Sequence, residues 1–115
     1  MSEALLLVVS TWPSAELARS ASRIIIEERL AACANIVPNV ESIYRWEGRI
    51  ETGSELLVFM KTTAARYPAL ERRIQELHPF AVPEILGFGA ETGLLAYCDW
   101  VRESCRDAAK PEKGN

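Results

Sequence analysis

The sequence predicts an α+β fold: an antiparallel sheet with two helices on one face and a third helix after the last strand. One observation behind this prediction is the order of apolar patterns, which alternate between strand-like runs and helical spacing as β-α-β-β-α-β. The other is a pair of long β-rich segments, residues 34–46 and 49–62, around the pair Glu47-Gly48. Glycine readily adopts the positive φ of a tight turn. We therefore expect a long hairpin whose base forms the centre of the sheet and whose tip projects beyond it.

The first strand and the first helix follow from aliphatic content and from a helix-start signal. Residues 4–11 are nearly all aliphatic, which is typical of a buried strand. Ser14 is a good N-cap, and Glu16 lies in the first turn, where a negative charge favours the helix dipole. Because apolar side chains then recur at helical spacing, the sequence predicts a helix over residues 15–32.

The two arms of the hairpin carry different patterns. On the first arm Ile36, Val40 and Tyr44 share one parity, and Trp46 continues the row, so one face is predicted to be drier. Pro38 cannot donate a ladder hydrogen bond, which predicts an edge position or a bulge. The second arm has a continuous apolar run over residues 56–60, which indicates a strand covered on both faces.

The remaining elements complete one domain. A second helix is predicted from an apolar stripe at Tyr67, Leu70, Ile74 and Leu77, with Thr62 or Thr63 as candidate caps and Pro79 ending it after His78. Residues 84–89 are predicted as a short strand, and residues 94–104 as a short helix docked by its aromatic side chains. This order is that of the ferredoxin-like sandwich. We expect one domain over residues 1–105 and a disordered tail over residues 106–115.

Composition excludes several classes of protein. The chain has 115 residues, 49% hydrophobic residues and a net charge of −3, as ordinary globular domains do. A mildly acidic chain gives no indication of the positively charged surface with which proteins bind nucleic acid. No apolar stretch is long enough to span a bilayer. The apolar start lacks a positively charged n-region, so we expect a first strand rather than a signal peptide, and a cytoplasmic location.

The sequence shows no catalytic signature. It has no GxSxG, P-loop or GxGxxG motif, and we therefore predict that it is not an enzyme. Its three cysteines form no CxxC motif and argue against a disulfide framework. Cys33 and Cys98 are interpreted as small apolar residues that fill space in the core. Cys105 is interpreted as an incidental thiol at the point where the chain is expected to lose order.

A few polar side chains are candidates for a metal site. His78 is the single histidine of the chain, and a copper or zinc site usually takes three or four ligands, for which Cys33 and Glu84 are the best partners. The alternative for His78 is a structural role at the C-terminal end of the second helix.

Other side chains are candidates for a ligand cleft or an interface. Glu55, Lys61 and Glu84 are charges among apolar strand residues, so they suit either a cleft for a small anion or a structural ion pair. We group Tyr44 with Glu55 and Lys61 as the predicted ligand cleft. Trp46 and Trp100 are predicted interface anchors, with core packing as the alternative.

Four stretches at compatible spacing resemble the CutA divalent-cation tolerance family. They are ERLAACANIVP from Glu28, SIYRWEGRIE from Ser42, Lys61-Thr62, and ELHPFAVPEI from Glu76. The resemblance covers residues 4–104. The chain departs from the family pattern at Asn39, often Gly, at Phe80, often Tyr, and at Ser10, where some members carry Cys.

The resemblance implies an assembly and a role. It implies a ferredoxin-like protomer in a homotrimer similar to the PII signalling proteins, with each long hairpin embracing a neighbouring subunit. It also implies a response to metal ions, with copper or another divalent ion bound at clefts between subunits. No cofactor is certain from the sequence. The alternative is a PII-like sensor that binds a small organic anion and signals to a partner.

Overall fold

The computed structural model of the protein describes residues 3–106, so residues 107–115 of the predicted tail lie outside the described residues. The described chain forms four strands and three helices in an α+β arrangement. In chain order these are β1 (Leu5–Trp12), α1 (Ala15–Glu27), β2 (Cys33–Trp46), β3 (Arg49–Thr63), α2 (Tyr67–Leu77), β4 (Ile85–Gly89) and α3 (Leu95–Ser104).

The four strands form one antiparallel sheet in the order β2-β3-β1-β4. This is the strand order of the predicted ferredoxin-like sandwich. Strand β3 is central and pairs with β1 at Val8↔Met60 and with β2 at Ala34↔Met60. Strands β2 and β4 are the edges of the sheet within one chain.

Helices α1 and α2 cover one face of the sheet, which we call the helix face. Several side chains of β1 and β3 that point to this face are fully buried, among them Val8, Trp12 and Val58. They pack against Ile25 of α1 and Ile74 of α2 in a single core cluster. Burying a large aliphatic side chain stabilises the fold by about 1.5–3 kcal/mol, so this cluster holds both helices on the sheet.

Both ends of α1 are fixed by local hydrogen bonds. The Ser14 side chain accepts from the Leu17 N–H at 3.2 Å, which confirms the predicted N-cap. The helix ends at Glu27, so the prediction that it continues to residue 32 was wrong. Arg29 adopts a positive φ of 60°, and its N–H donates to the Ile26 carbonyl while that of Leu30 donates to the Ile25 carbonyl. This Schellman motif ends the helix although apolar residues follow it.

The predicted bulge lies in β2. Pro38 and Asn39 of β2 lie between the pairs Val37↔Leu57 and Val40↔Glu55. Between the same two pairs β3 has a single residue, Leu56, so β2 carries one extra residue. Asn39 has a φ of 61°, which asparagine tolerates better than most residues.

The bulge changes which face each side chain of β2 occupies. Ile36 pairs with Val58 on the helix face, whereas Val40, Tyr44 and Trp46 lie on the opposite face. The prediction of one continuous row from Ile36 to Trp46 was therefore wrong, because the extra residue reverses the alternation.

The sheet face opposite α1 and α2 is only partly covered, and we call it the open face. Helix α3 covers one end of it, through fully buried Val101 and through Cys105, which is 3% exposed. The aromatic side chains of α3 do not dock the helix, contrary to the prediction, since Tyr97 and Trp100 are exposed. Cys105 lies in the small cluster that α3 forms with Ala32, so its interpretation as an incidental thiol was also wrong.

The β2–β3 hairpin extends beyond the rest of the domain. Its turn has positive φ at both Glu47 and Gly48, as in a type I′ turn, which confirms the predicted turn. The chain extends 57 Å along its longest axis and 28 Å along the next. Near the tip Ile43 and Ile50 are exposed on one face and Trp46 on the other. None of the helices formed by residues 3–106 is long and apolar enough to cross a bilayer.

Candidate functional site

A small polar cluster lies on the open face, next to the apolar side chains of the sheet. The β2–β3 register sets Lys61 directly opposite Cys33, and Asn35 shares their face two residues along β2. The Lys61 Nζ donates to Asn35 Oδ1 and lies 3.8 Å from Cys33 Sγ. Among residues 3–106 no carboxylate forms an ion pair with Lys61, so an amide and a thiol hold this half-buried cation.

The predicted ligand cleft is not assembled within one chain. Glu55 lies on the same face of β3 as Lys61, but six residues away, which is about 20 Å along a strand. Tyr44 lies farther toward the hairpin tip, opposite Glu51. A cleft containing Tyr44, Glu55 and Lys61 would need residues from more than one subunit.

His78 is buried beside the C-terminal end of β1, and only 7% of its surface is exposed. Its Nε2 lies 2.7 Å from the Thr11 carbonyl, and its Nδ1 accepts from the Phe80 N–H at 3.1 Å. Because a carbonyl only accepts, these contacts fit the tautomer that carries hydrogen on Nε2. Its ring also packs against Trp12, with centroids 4.3 Å apart, and against Phe80. Both ring nitrogens are thus in use, and binding a metal would require one of these bonds to open.

The other two predicted metal ligands lie apart from His78. Cys33 is half-buried at the start of β2, and Glu84 is exposed just before β4. Over residues 3–106 no three His, Cys, Asp or Glu side chains come together as a metal site would require. The set Cys33, His78 and Glu84 is therefore not brought together within a single chain.

The predicted interface anchors are accessible. Trp46 is 55% exposed near the hairpin tip, and Trp100 is 48% exposed on α3. Trp100 also contacts Tyr97, with ring centroids 5.6 Å apart. Their exposure leaves both indoles available to a partner surface.

Sequence reasoning missed Asn35, the residue that holds Lys61. Strand alternation puts Asn35 on the same face as Cys33, and that signal was available. Its proximity to Lys61 depends on the β2–β3 register, however, and the bulge after Val37 makes that register hard to derive from the turn.

Comparison with known proteins agrees with this architecture. A family model described as "CutA1 divalent ion tolerance protein" matches residues 6–104. The chain is 47% identical over 97 residues to the divalent-cation tolerance protein CutA of Thermus thermophilus, covering 84% of this chain and 94% of that protein. It is 40% identical over 93 residues to the human protein CutA, covering 81% of this chain but 52% of that longer protein.

A solved structure shows the same fold. The CutA1 structure from Oryza sativa superposes with a TM-score of 0.89 at 36% identity, covering 93% of this chain and 98% of that one. Since the family model and relatives well above 30% identity both cover most of the chain, the protein belongs to the CutA1 divalent ion tolerance family.

Proposed function

We propose that this protein is a homotrimer that responds to metal ions by binding copper or another divalent ion in clefts between its subunits. The observation that carries the proposal is the open face, where exposed apolar side chains lie on the same side of the sheet as the Cys33 thiol. Membership of a divalent ion tolerance family supports the metal response. The proposed role is binding rather than catalysis.

The exposed apolar surface supports assembly. Val37 is 41% exposed on the open face, and Leu86 and Phe88 are each 52% exposed there. Contiguous apolar surface of this kind marks an interaction site in soluble proteins. The hairpin adds a second reason, because an isolated two-stranded ribbon is marginal in water. A trimer in which each open face and hairpin contact a neighbour would cover both.

The ligand chemistry favours Cys33 as the first metal ligand. A thiolate is a soft ligand that suits Cu(I), and carboxylates accept several divalent ions. In the proposed assembly the exposed Glu84 of a neighbouring subunit supplies an oxygen ligand. His78 joins the site when its Nε2 bond to the Thr11 carbonyl opens.

Native mass spectrometry tests this proposal. Metal-free protein is measured first, and then with copper in slight excess. We expect a trimer that takes up a fixed number of ions per chain, with uptake lost in Cys33→Ser and retained in Cys98→Ser, the matched control thiol. His78→Ala measures the contribution of the imidazole. A trimer that ignores copper, or that binds it equally well without the Cys33 thiol, would contradict the proposed site.

The proposed location is the cytoplasm. A relative of known structure from Archaeoglobus fulgidus is described as a periplasmic protein, so location is tested separately from metal binding. Fractionation of cells that express the full natural protein decides between the two compartments. Recovery in the soluble internal fraction would support the proposal, and release with the periplasmic contents would contradict it.

A further inference from the structure

A groove of about 380 Å³ lies between α1 and the edge strand β2, on the helix face of the sheet. Its wall is one face of α1, where Arg19, Ser22, Arg23 and Ile26 follow the i, i+3, i+4, i+7 spacing. Its floor is apolar and includes Ile36 of β2. The groove is open to solvent, and its volume is at the small end of the range for ligand pockets.

The two arginines of the groove, Arg19 and Arg23, have no polar partner within the described residues. Neither Arg19 nor Arg23 makes an ion pair or a side-chain hydrogen bond with any part of the described chain, although Glu27 lies one turn beyond Arg23. Residues four apart on a helix have Cβ atoms about 6 Å apart. Two guanidinium groups at that spacing can bind one oxyanion from both sides, because each presents a planar set of N–H donors.

A buried hydroxyl beside the groove also lacks a partner. Ser22 is 7% exposed, and no group within residues 3–106 forms a hydrogen bond with its Oγ. A buried polar atom without a partner is destabilising. Rotation about χ1 turns a serine hydroxyl through 120° between staggered positions, so Ser22 can donate to an anion held between Arg19 and Arg23.

We infer that this groove binds a phosphate monoester that carries a small apolar group. The doubly negative phosphate matches the charge of Arg19 and Arg23, which favours it over a singly charged carboxylate. The apolar part lies against Ile26 and Ile36. Glu27 repels a second anionic group at its end of the groove, which excludes ligands with phosphates at both ends.

This inference is independent of the proposed metal site. The groove lies on the helix face, whereas Cys33 and Lys61 lie on the open face of the same sheet. Copper binding and phosphate binding can therefore fail separately, and a copper titration leaves the groove untested.

Titration of the full-length, ¹⁵N-labelled protein with phenyl phosphate tests the inference, with inorganic phosphate and phenol as separate arms. We expect saturable shifts of the Ala34 and Ile36 amides and of the Arg19 and Arg23 side-chain resonances. Phenyl phosphate should bind more tightly than inorganic phosphate, and phenol should cause no comparable shift. Absence of saturable shifts at these four positions, or equal binding of phenol, would overturn the inference.

Matched substitutions identify the groups that hold the phosphate. Arg19→Gln and Arg23→Gln should each weaken phenyl phosphate binding about tenfold or more, because each removes charged hydrogen bonds. Arg72→Gln is the control, since Arg72 is an exposed arginine of α2 away from the groove. Ser22→Ala should weaken binding without lowering the stability of the ligand-free protein. Equal losses in all three arginine variants would indicate non-specific charge attraction and overturn the inference.

Discussion

Cys105 illustrates how a single buried group makes stability depend on pH. Burial raises the pKa of this thiol above its ordinary value of 9.0, partly opposed by its contact with the Thr62 hydroxyl. As pH rises above the ordinary value, the unfolded chain loses the thiol proton while the folded chain keeps it. The unfolded state is thereby favoured, so the contribution of Cys105 to stability is complete below that pH and falls above it.

We therefore predict that Cys105→Ala changes the pH dependence of unfolding. The difference in free energy of unfolding between wild type and variant should shrink as pH rises from 8 to 10, by at most about 1.4 kcal/mol per pH unit. Urea unfolding followed by circular dichroism measures it. Burial also raises the pKa of Tyr67, and the neighbouring Glu71 raises it further. Because Tyr67 is present in both proteins, its effect cancels in the difference between their free energies of unfolding. A difference that stays constant over this range would contradict the prediction.

His78 shows that residue type alone does not define a role. As the single histidine of the chain it is the natural metal candidate from sequence. In the fold it bridges β1 and the segment after α2 through the Thr11 carbonyl and the Phe80 N–H. The residue that the sequence favours as a metal ligand therefore has both ring nitrogens in contact with the protein's own backbone.

At the scale of elements, the end of α1 depends on one unusual backbone conformation. Arg29 takes a left-handed φ, in which Cβ crowds the following carbonyl and costs roughly 1 kcal/mol for a non-glycine residue. Its side chain offsets part of that cost by donating to the Ser104 carbonyl at 3.3 Å. Arg66 of the loop before α2 donates to the Glu28 and Arg29 carbonyls and so binds the same helix end.

A pair of substitutions isolates the backbone effect. Arg29→Ala and Arg29→Gly both remove the guanidinium. The difference between their free energies of unfolding therefore measures the cost of the left-handed backbone conformation at this position. We predict that Arg29→Gly is more stable than Arg29→Ala by about 1 kcal/mol, measured by thermal or urea unfolding. At Ser20, an exposed position inside α1, the order should reverse, with alanine more stable than glycine. The same order at both positions would contradict this account of the helix end.

The bulge in β2 determines which face of the sheet the aromatic side chains of the hairpin occupy. By inserting one residue it moves Tyr44 and Trp46 onto the same side of the hairpin as the open face. Without it these aromatic side chains would point to the side of the sheet where α1 and α2 lie. The bulge therefore aligns the hairpin anchors with the surface that the proposed neighbour covers.

The hairpin and the open face together leave more apolar surface exposed than a single chain covers with its own helices. Trp46 is already 55% exposed in one chain, so removing its indole takes little packing from the protomer. In the proposed trimer the same indole is buried against a neighbour, where a large aromatic anchor contributes about 2 kcal/mol or more.

We predict that Trp46→Ala weakens the trimer by roughly thirtyfold or more while leaving the protomer folded. Analytical ultracentrifugation across a dilution series measures assembly, and circular dichroism measures folding. Leu17→Ala is the control, because Leu17 is a partly exposed apolar residue of α1, at 39% exposure, outside the proposed interface. Unchanged assembly in Trp46→Ala, or equal loss in Leu17→Ala, would argue against a hairpin that grips a neighbour.

Local signals in the sequence determined much of this protein. The Ser14 cap, the Glu47-Gly48 turn, the disruption at Pro38 and the order of elements all follow from neighbouring residues, because capping, turn geometry and hydrophobic periodicity are short-range effects. The resemblance to the CutA family was also available from linear motifs, and it is the family to which the chain belongs.

Contacts between residues far apart in the chain could not be derived from local signals. The burial of Cys105 beside Ala32 and the contact of His78 with the Thr11 carbonyl join segments far apart in sequence. The end of α1 is set by local hydrogen bonds and is also contacted by Arg66 and Ser104. The reversed parity after Asn39 appears only in the register between β2 and β3. Register and packing set such contacts, and a single inserted residue changes a whole face of a strand. For that reason the sequence predicted the fold and the family, while the positions of the candidate ligands required the structure.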